Sequence, residues 1–358
     1  MRLMTLGVEF IFANSGTDFP PIIEGAAQAL HEGINLPEMI IAPHEHAALG
    51  MAHGVYLASG KAQAVMLHTN VGLANGAIGA INAATDHVPM VLMSGRTPTT
   101  EQGRFGARIV PIGWGLEMRD LTALVREASK WDYELRFPEQ TSELVDRALA
   151  IAESTPKGPV YLSLPREVLC EPSRADASTT ERQMRAASLS PRPADIRQAA
   201  KLLADAKRPL IIVQHGTGSA DAFQELAKLS EEWSIPVCQY WAIALGVAAD
   251  HPCYIGMNPS PWLEDADVVL AIDTLAPWSP DIHTLRADCQ VIHIGPDPLQ
   301  SRFPVRNFKA DLAIATEVAD GILALSQAMP KHTAKRKSLI EKRRSKVHKS
   351  AATHRADV

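Results

Sequence analysis

Short apolar runs alternate with longer amphipathic stretches along the first half of the chain, which is the pattern of a parallel α/β sheet. The runs predict buried strands at 9–13, 39–42, 62–68, 88–94, 131–135 and 160–164. The stretches between them predict helices at 22–30, 45–58, 73–84, 121–126 and 141–153, with a turn at 69–72 before the third of these. A loop from Arg96 to Met118 is long enough to suggest a functional role.

The same alternation returns in the second half of the chain. It predicts helices at 194–206, 222–232 and 311–325, with strands at 210–214, 236–239, 267–273 and 290–294. We therefore expect an α/β fold of two doubly wound parallel-sheet domains, the second of them Rossmann-like. The turn Gly216-Thr217-Gly218 could receive a phosphate at the following helix, but a plain strand–helix turn explains it as well, since a full GxGxxG motif is absent.

Composition shifts mark the domain boundaries. Residues 171–192 are rich in Ser, Thr, Arg, Ala and Asp and contain few large apolar residues, which predicts a linker between domains at 1–170 and 193–330. Residues 331–358 carry ten Lys and Arg against Glu341 and Asp357. This tail is expected to be a solvated helix or linker with too little apolar material to pack alone, the alternative being an arm that binds anions or nucleic acid.

Composition and charge exclude several classes of protein. The 358 residues are 46% hydrophobic and 21% charged, with a net charge of -5, which argues against nucleic acid as a general partner. No apolar stretch reaches the roughly 18 residues of a membrane span. The four cysteines are scattered without a CxxC pair, so free thiols in a reducing cytoplasm are expected.

The segment IIAPHEHAALG places a single carboxylate, Glu45, between the end of a predicted strand and the start of a predicted helix. The dipole at a helix start favours an ionised carboxylate, whereas burial opposes ionisation. Two roles are open on this segment taken by itself: Glu45 caps the first helical turn, or it performs acid–base chemistry.

Several spaced motifs together resemble one enzyme superfamily. The segments GVEFIFANSGTDFPPIIEGA, APHEHAALGMAHGVYLASGKAQAV, TNVGLANGAIGAINAATDHVPMVLMSG and GPVYLSLPREV occur in this order, followed by RPLIIVQHGTG and DADVVLAID. Over about residues 5–330 the chain is similar to the thiamine-diphosphate-dependent decarboxylases and carboligases, on the acetolactate-synthase-like side. The resemblance implies a pyrimidine-binding domain at 1–170 and a central domain at 193–330.

The resemblance also implies roles for particular residues. Glu45 matches the glutamate that hydrogen-bonds the pyrimidine ring of the cofactor and relays a proton, a task that needs a carboxylate. Other positions that match cofactor-contacting loops or a substrate-facing loop are Asn14, Ser15 and Gly16, then Thr69, Asn70, Gly72 and Asn75, and finally Leu116 and Glu117. Ser15, Asn70-Val71 and Leu116 stand where the family more often has Pro, Gly-Pro and Gln.

The resemblance implies thiamine diphosphate with Mg²⁺ as cofactor and a 2-oxo acid as substrate, for decarboxylation, carboligation or both. In this family a third domain holds the diphosphate and Mg²⁺, so no metal ligands are expected in this sequence. A missing segment or a separate subunit would supply that domain, in a homodimer or homotetramer. FAD binds the central domain of some relatives, although nothing in this sequence requires it. The alternative is a catalytically inactive scaffold or regulatory chain of the same fold.

Overall fold

The computed structural model describes residues 1–172, 182 and 184–357. The chain divides into two compact units, Met1–Ala187 and Ser188–Val358. The division falls within the predicted linker 171–192, of which residues 173–181 and 183 lie outside the described residues.

The described part of unit 1 forms a six-stranded sheet in the order β2-β1-β3-β4-β6-β5, with every neighbouring pair parallel. Its strands are β1 (Phe10–Ala13), β2 (Glu38–Ile41), β3 (Gln63–Leu67), β4 (Met90–Arg96), β5 (Asp132–Glu134) and β6 (Pro159–Pro165). Its helices are α1 (Arg2–Thr5), α2 (Pro20–His31), α3 (Glu45–Ser59), α4 (Thr69–Thr85), α5 (Ile112–Gly115), α6 (Thr141–Glu153) and α7 (Arg166–Leu169). The helix expected at 121–126 is instead a pair of 3₁₀ turns, Thr122–Leu124 and Arg126–Ala128.

Both faces of the unit 1 sheet are covered, which explains why its strands are continuous apolar runs. Side chains alternate across β3, so Val65 and Leu67 join a core with α3 and α4. Ala64 and Met66 face the other side, where they pack in a core with α6. The predicted doubly wound architecture is confirmed for this unit.

Unit 2 contains a five-stranded parallel sheet in the order β11-β10-β9-β7-β8 among its described residues. The strands are β7 (Pro209–Val213), β8 (Val237–Cys238), β9 (Val268–Ile272), β10 (Gln290–Gly295) and β11 (Leu312–Ala315). The helices are α8 (Pro193–Asp205), α9 (Ala220–Glu232), α10 (Ser260–Leu263), α11 (Val318–Ala328) and α12 (Ala334–Asp357). Cores on both faces of this sheet confirm the second predicted α/β domain.

The helix predicted at 311–325 is wrong in its first part. Leu312–Ala315 is a strand that pairs in parallel with β10, placing Leu312 opposite Ile292 and Ala315 opposite Gly295. The helix starts only at Val318. Strand pairing with a distant segment outweighs the local helical pattern, and a short apolar run does not distinguish the two structures.

The basic tail, expected to be a solvated helix or linker with too little apolar material to pack alone, is a helix that packs within unit 2. Residues Ala334–Asp357 form helix α12, whose Ile340, Val347 and Ala351 are buried. The guanidinium of Arg343 is buried as well and donates to the backbone oxygens of Ala206 and Trp233, each at 2.9 Å. Ala206 and Trp233 are the C-cap residues of α8 and α9. Carbonyl groups at the end of a helix have no partner within the helix, and Arg343 on the tail supplies hydrogen bonds to these two. In the part of the chain that the structure describes, no helix has the length and apolar character to cross a membrane.

Candidate active site

The carboxyl ends of four neighbouring strands in unit 1 carry a group of polar and titratable residues. Because β2, β1, β3 and β4 are adjacent and parallel, the residues after them meet at one edge of the sheet. Asp18 lies in the loop after β1, Glu45 follows β2 and His68 follows β3. The winding of the sheet changes direction between β1 and β3, and open α/β sheets bind ligands at such a switch point.

Glu45 is the first residue of α3, but it does not cap the helix. The N-cap is His44, whose ring nitrogen Nδ1 accepts a hydrogen bond from the backbone N–H of His46 at 3.2 Å. The side chain of Glu45 is buried, and its Oε2 accepts a hydrogen bond from Asn75 Nδ2 on α4 at 3.2 Å. The carboxylate is therefore directed toward α4 and not toward its own helical turn.

The start of α4 leaves polar atoms and space beside Glu45. A Cβ atom on Gly72 would lie 3.3 Å from Glu45 Oε1, so glycine keeps the carboxylate uncovered. Thr69 Oγ1 and Asn70 Oδ1 are buried and have no hydrogen-bond partner among the described residues. Buried polar atoms nearly always have partners, so these oxygens fit a polar group bound against the helix start.

The turn predicted at 69–72 is wrong, because α4 already begins at Thr69. The Gly72 N–H donates to the His68 carbonyl at 2.7 Å, which closes the first helical turn directly after the strand. Thr69 has a φ of +36°, an unusual value for a β-branched residue. Such strain persists where surrounding contacts impose it, and it occurs often at functional sites.

A cavity of about 40 Å³ lies next to this edge, large enough for more than one water molecule. Its polar wall includes Asp18, His68 and Thr69, together with the three arginines Arg96, Arg108 and Arg166. Its apolar wall is formed by the loop after β4, through Ile109, Val110, Ile112 and Leu116. The long loop predicted from the sequence thus closes the cavity from one side.

The predicted substrate-loop residues Leu116 and Glu117 have different positions. Leu116 lines the cavity, whereas the Glu117 carboxylate accepts hydrogen bonds from Arg96 at 2.8 Å and from Thr97 Oγ1 at 2.9 Å. Arg108 also donates to Glu117. Glu117 therefore holds two cavity arginines in place.

The sequence-based prediction missed His68 and Asp18. His68 Nδ1 lies 2.5 Å from Asp18 Oδ1, and Asp18 is buried. The hydrogen bond to Asp18 raises the pKa of His68 above its ordinary value, against the effect of burial, and the charges of Asp18 and Glu45 act in the same direction. The sequence does place Asp18 after a predicted strand and His68 at the end of another. Neither residue lies in a motif from which its contact with the other could be predicted.

The predicted cofactor-contacting residues Asn14, Ser15 and Gly16 lie in the loop after β1. Asn14 Nδ2 donates to the backbone oxygen of Ala42 at 2.9 Å and so connects the ends of β1 and β2. Ser15 is exposed, and Gly16 packs against the ring of His68. Within the described residues, no three His, Cys, Asp or Glu side chains come together as a metal-binding group.

Two family models match this chain. The model "Thiamine pyrophosphate enzyme, N-terminal TPP binding domain" matches residues 1–120, and the model "Thiamine pyrophosphate enzyme, central domain" matches residues 196–325. Together they cover well over half of the chain, which belongs to the thiamine pyrophosphate enzyme family. The resemblance noted in the sequence is thereby confirmed.

Individual relatives and a solved structure agree with this family. A "Probable acetolactate synthase large subunit" of Methanococcus aeolicus is 27% identical over 90% of this chain and 52% of its own length. The benzoylformate decarboxylase of Pseudomonas aeruginosa is 25% identical over 74% of this chain and 49% of its own length. The crystal structure of benzoylformate decarboxylase from Polynucleobacter necessarius has the same fold, with a TM-score of 0.74 at 19% identity over 93% of this chain and 60% of that one. The chain spans about half the length of the curated relatives it matches.

Proposed function

We propose that this chain is part of a thiamine-diphosphate-dependent enzyme that acts on 2-oxo acids by decarboxylation, carboligation or both. One observation carries the proposal: the buried Glu45 carboxylate is directed toward α4, within the region that matches the thiamine-binding domain model. When bound, thiamine diphosphate supplies an electron sink for the carbon that loses carbon dioxide. Benzoylformate, the substrate in the name of the Pseudomonas aeruginosa relative, is a 2-oxo acid, which supports this substrate class.

Each residue at the edge has a task in this proposal. Glu45 accepts or shares a proton with a ring nitrogen of the cofactor's pyrimidine, and Asn75 holds the carboxylate in position. The partnerless oxygens of Thr69 and Asn70 offer hydrogen bonds to the same ring, and Gly72 leaves room for it. Asn14, Ser15 and Gly16 shape the neighbouring loop. We place the residues that hold the diphosphate and Mg²⁺ in protein outside this chain, as a further segment or a separate subunit.

The cavity beside this edge is proposed as the substrate site. Its arginines suit the carboxylate of a 2-oxo acid, since guanidinium and carboxylate groups have matching geometry. Ile109, Ile112 and Leu116 offer apolar contacts to the rest of the substrate. His68 lines the cavity and carries an exchangeable ring proton, which suits it to a substrate carbonyl oxygen.

We also propose that the protein works as a homo-oligomer in the cytoplasm. Val71, Ile78 and Ile81 of α4 are 45%, 52% and 46% exposed, and Asn75, which holds Glu45, lies on the same helix surface. A second copy covering these residues would close the cofactor site. Sedimentation of the parent and of the Ile78→Asp variant tests this. The parent should sediment at the mass of two or more chains and the variant at a lower mass, whereas a parent that sediments at the mass of one chain would contradict the proposal. The four cysteines are free thiols, which suits a reducing compartment.

The function is tested by release of labelled carbon dioxide from carboxyl-labelled 2-oxo acids, with thiamine diphosphate and Mg²⁺ present. The protein is assayed in its natural assembly, as the parent, Glu45→Gln and the control Glu38→Gln. Loss of the proton-transferring carboxylate should lower the rate by about 100-fold or more. Glu38 is exposed on β2, so its variant should keep the parent rate. Equal rates for Glu45→Gln and the parent would refute the catalytic role and favour a non-catalytic scaffold.

A further inference from the structure

The three arginines that line the cavity differ in their acidic partners. Arg96 donates to Glu117 at 2.8 Å and to Glu134 at 2.6 Å, and Arg108 also donates to Glu117. Arg166 forms no ion pair with an acidic side chain in the part of the chain that the structure describes. Its guanidinium is therefore the cation of this cavity whose charge is left for a bound molecule.

One donor of Arg166 is buried without a hydrogen-bond partner. The Nε atom is shielded from solvent, and no described residue accepts a hydrogen bond from it. The nearby Cys170 thiol does not neutralise the guanidinium, because burial raises the pKa of the thiol and keeps it protonated at neutral pH. Buried donors nearly always have partners, so this N–H fits an acceptor that occupies the cavity.

The backbone of Arg166 is held firmly at the end of β6. The residue before it, Pro165, is paired with Arg96 at the end of β4. The residue after it, Glu167, is buried, and its Oε1 accepts from the backbone N–H of Thr100 at 2.7 Å. These contacts join the end of β6 to β4 and to the loop that closes the cavity, so the Arg166 side chain extends from a fixed position.

Arg166 lies at the end of the cavity that is farther from the proposed cofactor site. Glu45 follows β2 and His68 follows β3, whereas Arg166 follows β6, and the strand order is β2-β1-β3-β4-β6. Neighbouring strands are about 4.8 Å apart, so the ends of β3 and β6 are separated by roughly 10 Å. The reacting carbon and the carboxylate that leaves it belong at the cofactor end. An anion bound by Arg166 is therefore a second charged group of the substrate.

The rest of the cavity wall suits a short chain that ends in such a group. Asp18 is the one acidic residue among the described residues that line the cavity, and its carboxylate contacts His68 at 2.5 Å. The side formed by Ile109, Ile112 and Leu116 is apolar. Methylene groups would pack against this apolar side, and no acidic side chain of the wall stands beside Arg166 to repel a distal anion.

We propose that Arg166 is a specificity-determining residue that selects 2-oxo acids with a second carboxylate at the end of the side chain. A guanidinium donates two parallel hydrogen bonds to a carboxylate, which gives both charge and direction to the contact. A substrate of about five or six carbon atoms, together with the length of the arginine side chain, spans the distance between the ends of β3 and β6. This inference rests on the proposed function for its reaction, but the carboxylate site can be measured without turnover.

The first test is calorimetric binding of two unreactive probes to the protein in its natural assembly. Glutarate carries two carboxylates, and 5-methylhexanoate has an uncharged isopropyl group in place of the second. The parent should bind glutarate more tightly, and Arg166→Gln should weaken glutarate binding by about 10- to 100-fold while leaving 5-methylhexanoate unchanged. The matched control is Arg104→Gln, because Arg104 is an exposed arginine of the same loop region that pairs with Glu171 outside the cavity wall.

The control variant should bind both probes as the parent does. Equal glutarate affinities in the parent and Arg166→Gln would overturn the proposal. If Arg166→Gln fails to fold, the parent alone still decides, since a parent that binds 5-methylhexanoate as tightly as glutarate has no site for a second carboxylate.

The second test is release of labelled carbon dioxide from 2-oxoglutarate and from 2-oxo-5-methylhexanoate, which differ in the same way. The ratio of their kcat/KM values should favour 2-oxoglutarate in the parent and fall by about 10- to 100-fold in Arg166→Gln. Arg166→Lys keeps the charge without the paired donors and should retain part of the preference.

The outcomes separate this inference from the proposed function. A parent that turns over 2-oxo-5-methylhexanoate and not 2-oxoglutarate would overturn the selection and leave the reaction assigned through Glu45 intact. Glutarate binding that depends on Arg166, without turnover of either 2-oxo acid, would refute the proposed reaction and support the carboxylate site.

Discussion

Each of the two units places a histidine and an aspartate on either side of the switch point of its sheet. In unit 1, His68 follows β3, Asp18 lies in the loop after β1, and their side chains are in direct contact. In unit 2, His215 comes just after β7 and Asp273 directly after β9. The topology is the same in outline, so the two pairs differ mainly in their local contacts.

The unit 2 pair is engaged with backbone. His215 Nδ1 donates to the backbone oxygen of Asp273 at 2.7 Å, while the Asp273 carboxylate oxygen Oδ1 lies 3.8 Å away. Between the same strand ends, Gln214 Oε1 accepts from the backbone N–H of Leu275 at 2.7 Å. These contacts connect the loops after β7 and β9, whereas the unit 1 pair orients the His68 ring beside a cavity. The atoms that bond, and not the residue types, therefore decide the role of each pair.

The largest expected effect comes from changing the two histidines in the same way. His68→Gln should lower release of labelled carbon dioxide by about 100-fold, because it removes the proposed proton donor. His215→Gln should keep the rate and lower the free energy of unfolding by about 1 kcal/mol, since it loses one hydrogen bond to backbone. Turnover and urea unfolding measured on both variants check this, and equal losses of turnover would remove the distinction between the units.

The next effect concerns the buried cation of unit 2. Arg343 donates to the backbone oxygens of Ala206, Trp233 and Ser234, and Arg343→Met would leave these without partners. The free energy of unfolding should fall by about 2–4 kcal/mol, with turnover unchanged in the folded protein. The control is Lys342→Met, an exposed neighbour on α12 whose loss should cost less than about 0.5 kcal/mol. Matching values for the two variants would show that α12 does not depend on this contact.

The smallest effect is the pH dependence of stability in unit 1. The raised pKa of His68 means that its stabilising contribution is complete below the unfolded value of about 6.5 and is lost as the pH rises through the folded pKa. The stability difference between the parent and Asp18→Asn should therefore shrink as the pH rises. Urea unfolding of both proteins at a series of pH values measures this difference in the free energy of unfolding. A difference that does not change with pH would show that Asp18 does not affect the titration of His68.

The sequence predicted most of the fold because each strand is a short apolar run that ends at a recognisable turn. It also predicted that Glu45 lies where a strand passes into a helix, since the pattern changes there within three residues. The strand at Leu312–Ala315 was missed because it exists only through pairing with β10. The packing of α12 was missed because its key contact is an arginine, a residue normally expected on the surface.

The candidate site was only partly predictable for a related reason. Glu45 and Asn75 lie in motifs that a resemblance can identify, and the structure brings them together at 3.2 Å. The pairing of Asp18 with His68 depends on the order of β1 and β3 in the sheet and on space left by Gly95, none of which is visible in a local pattern. The separation of Leu116 from Glu117 likewise depends on where Arg96 and Arg108 lie.

We propose that the strand ends of unit 1, and not those of unit 2, form the cofactor and substrate site. Hydrogen–deuterium exchange with mass spectrometry tests it on the protein in its natural assembly, with and without thiamine diphosphate and Mg²⁺. Amide exchange should slow in peptides covering 45–50 and 69–78 and stay unchanged at 214–219 and 273–275. Slower exchange confined to the two unit 2 segments would contradict this claim.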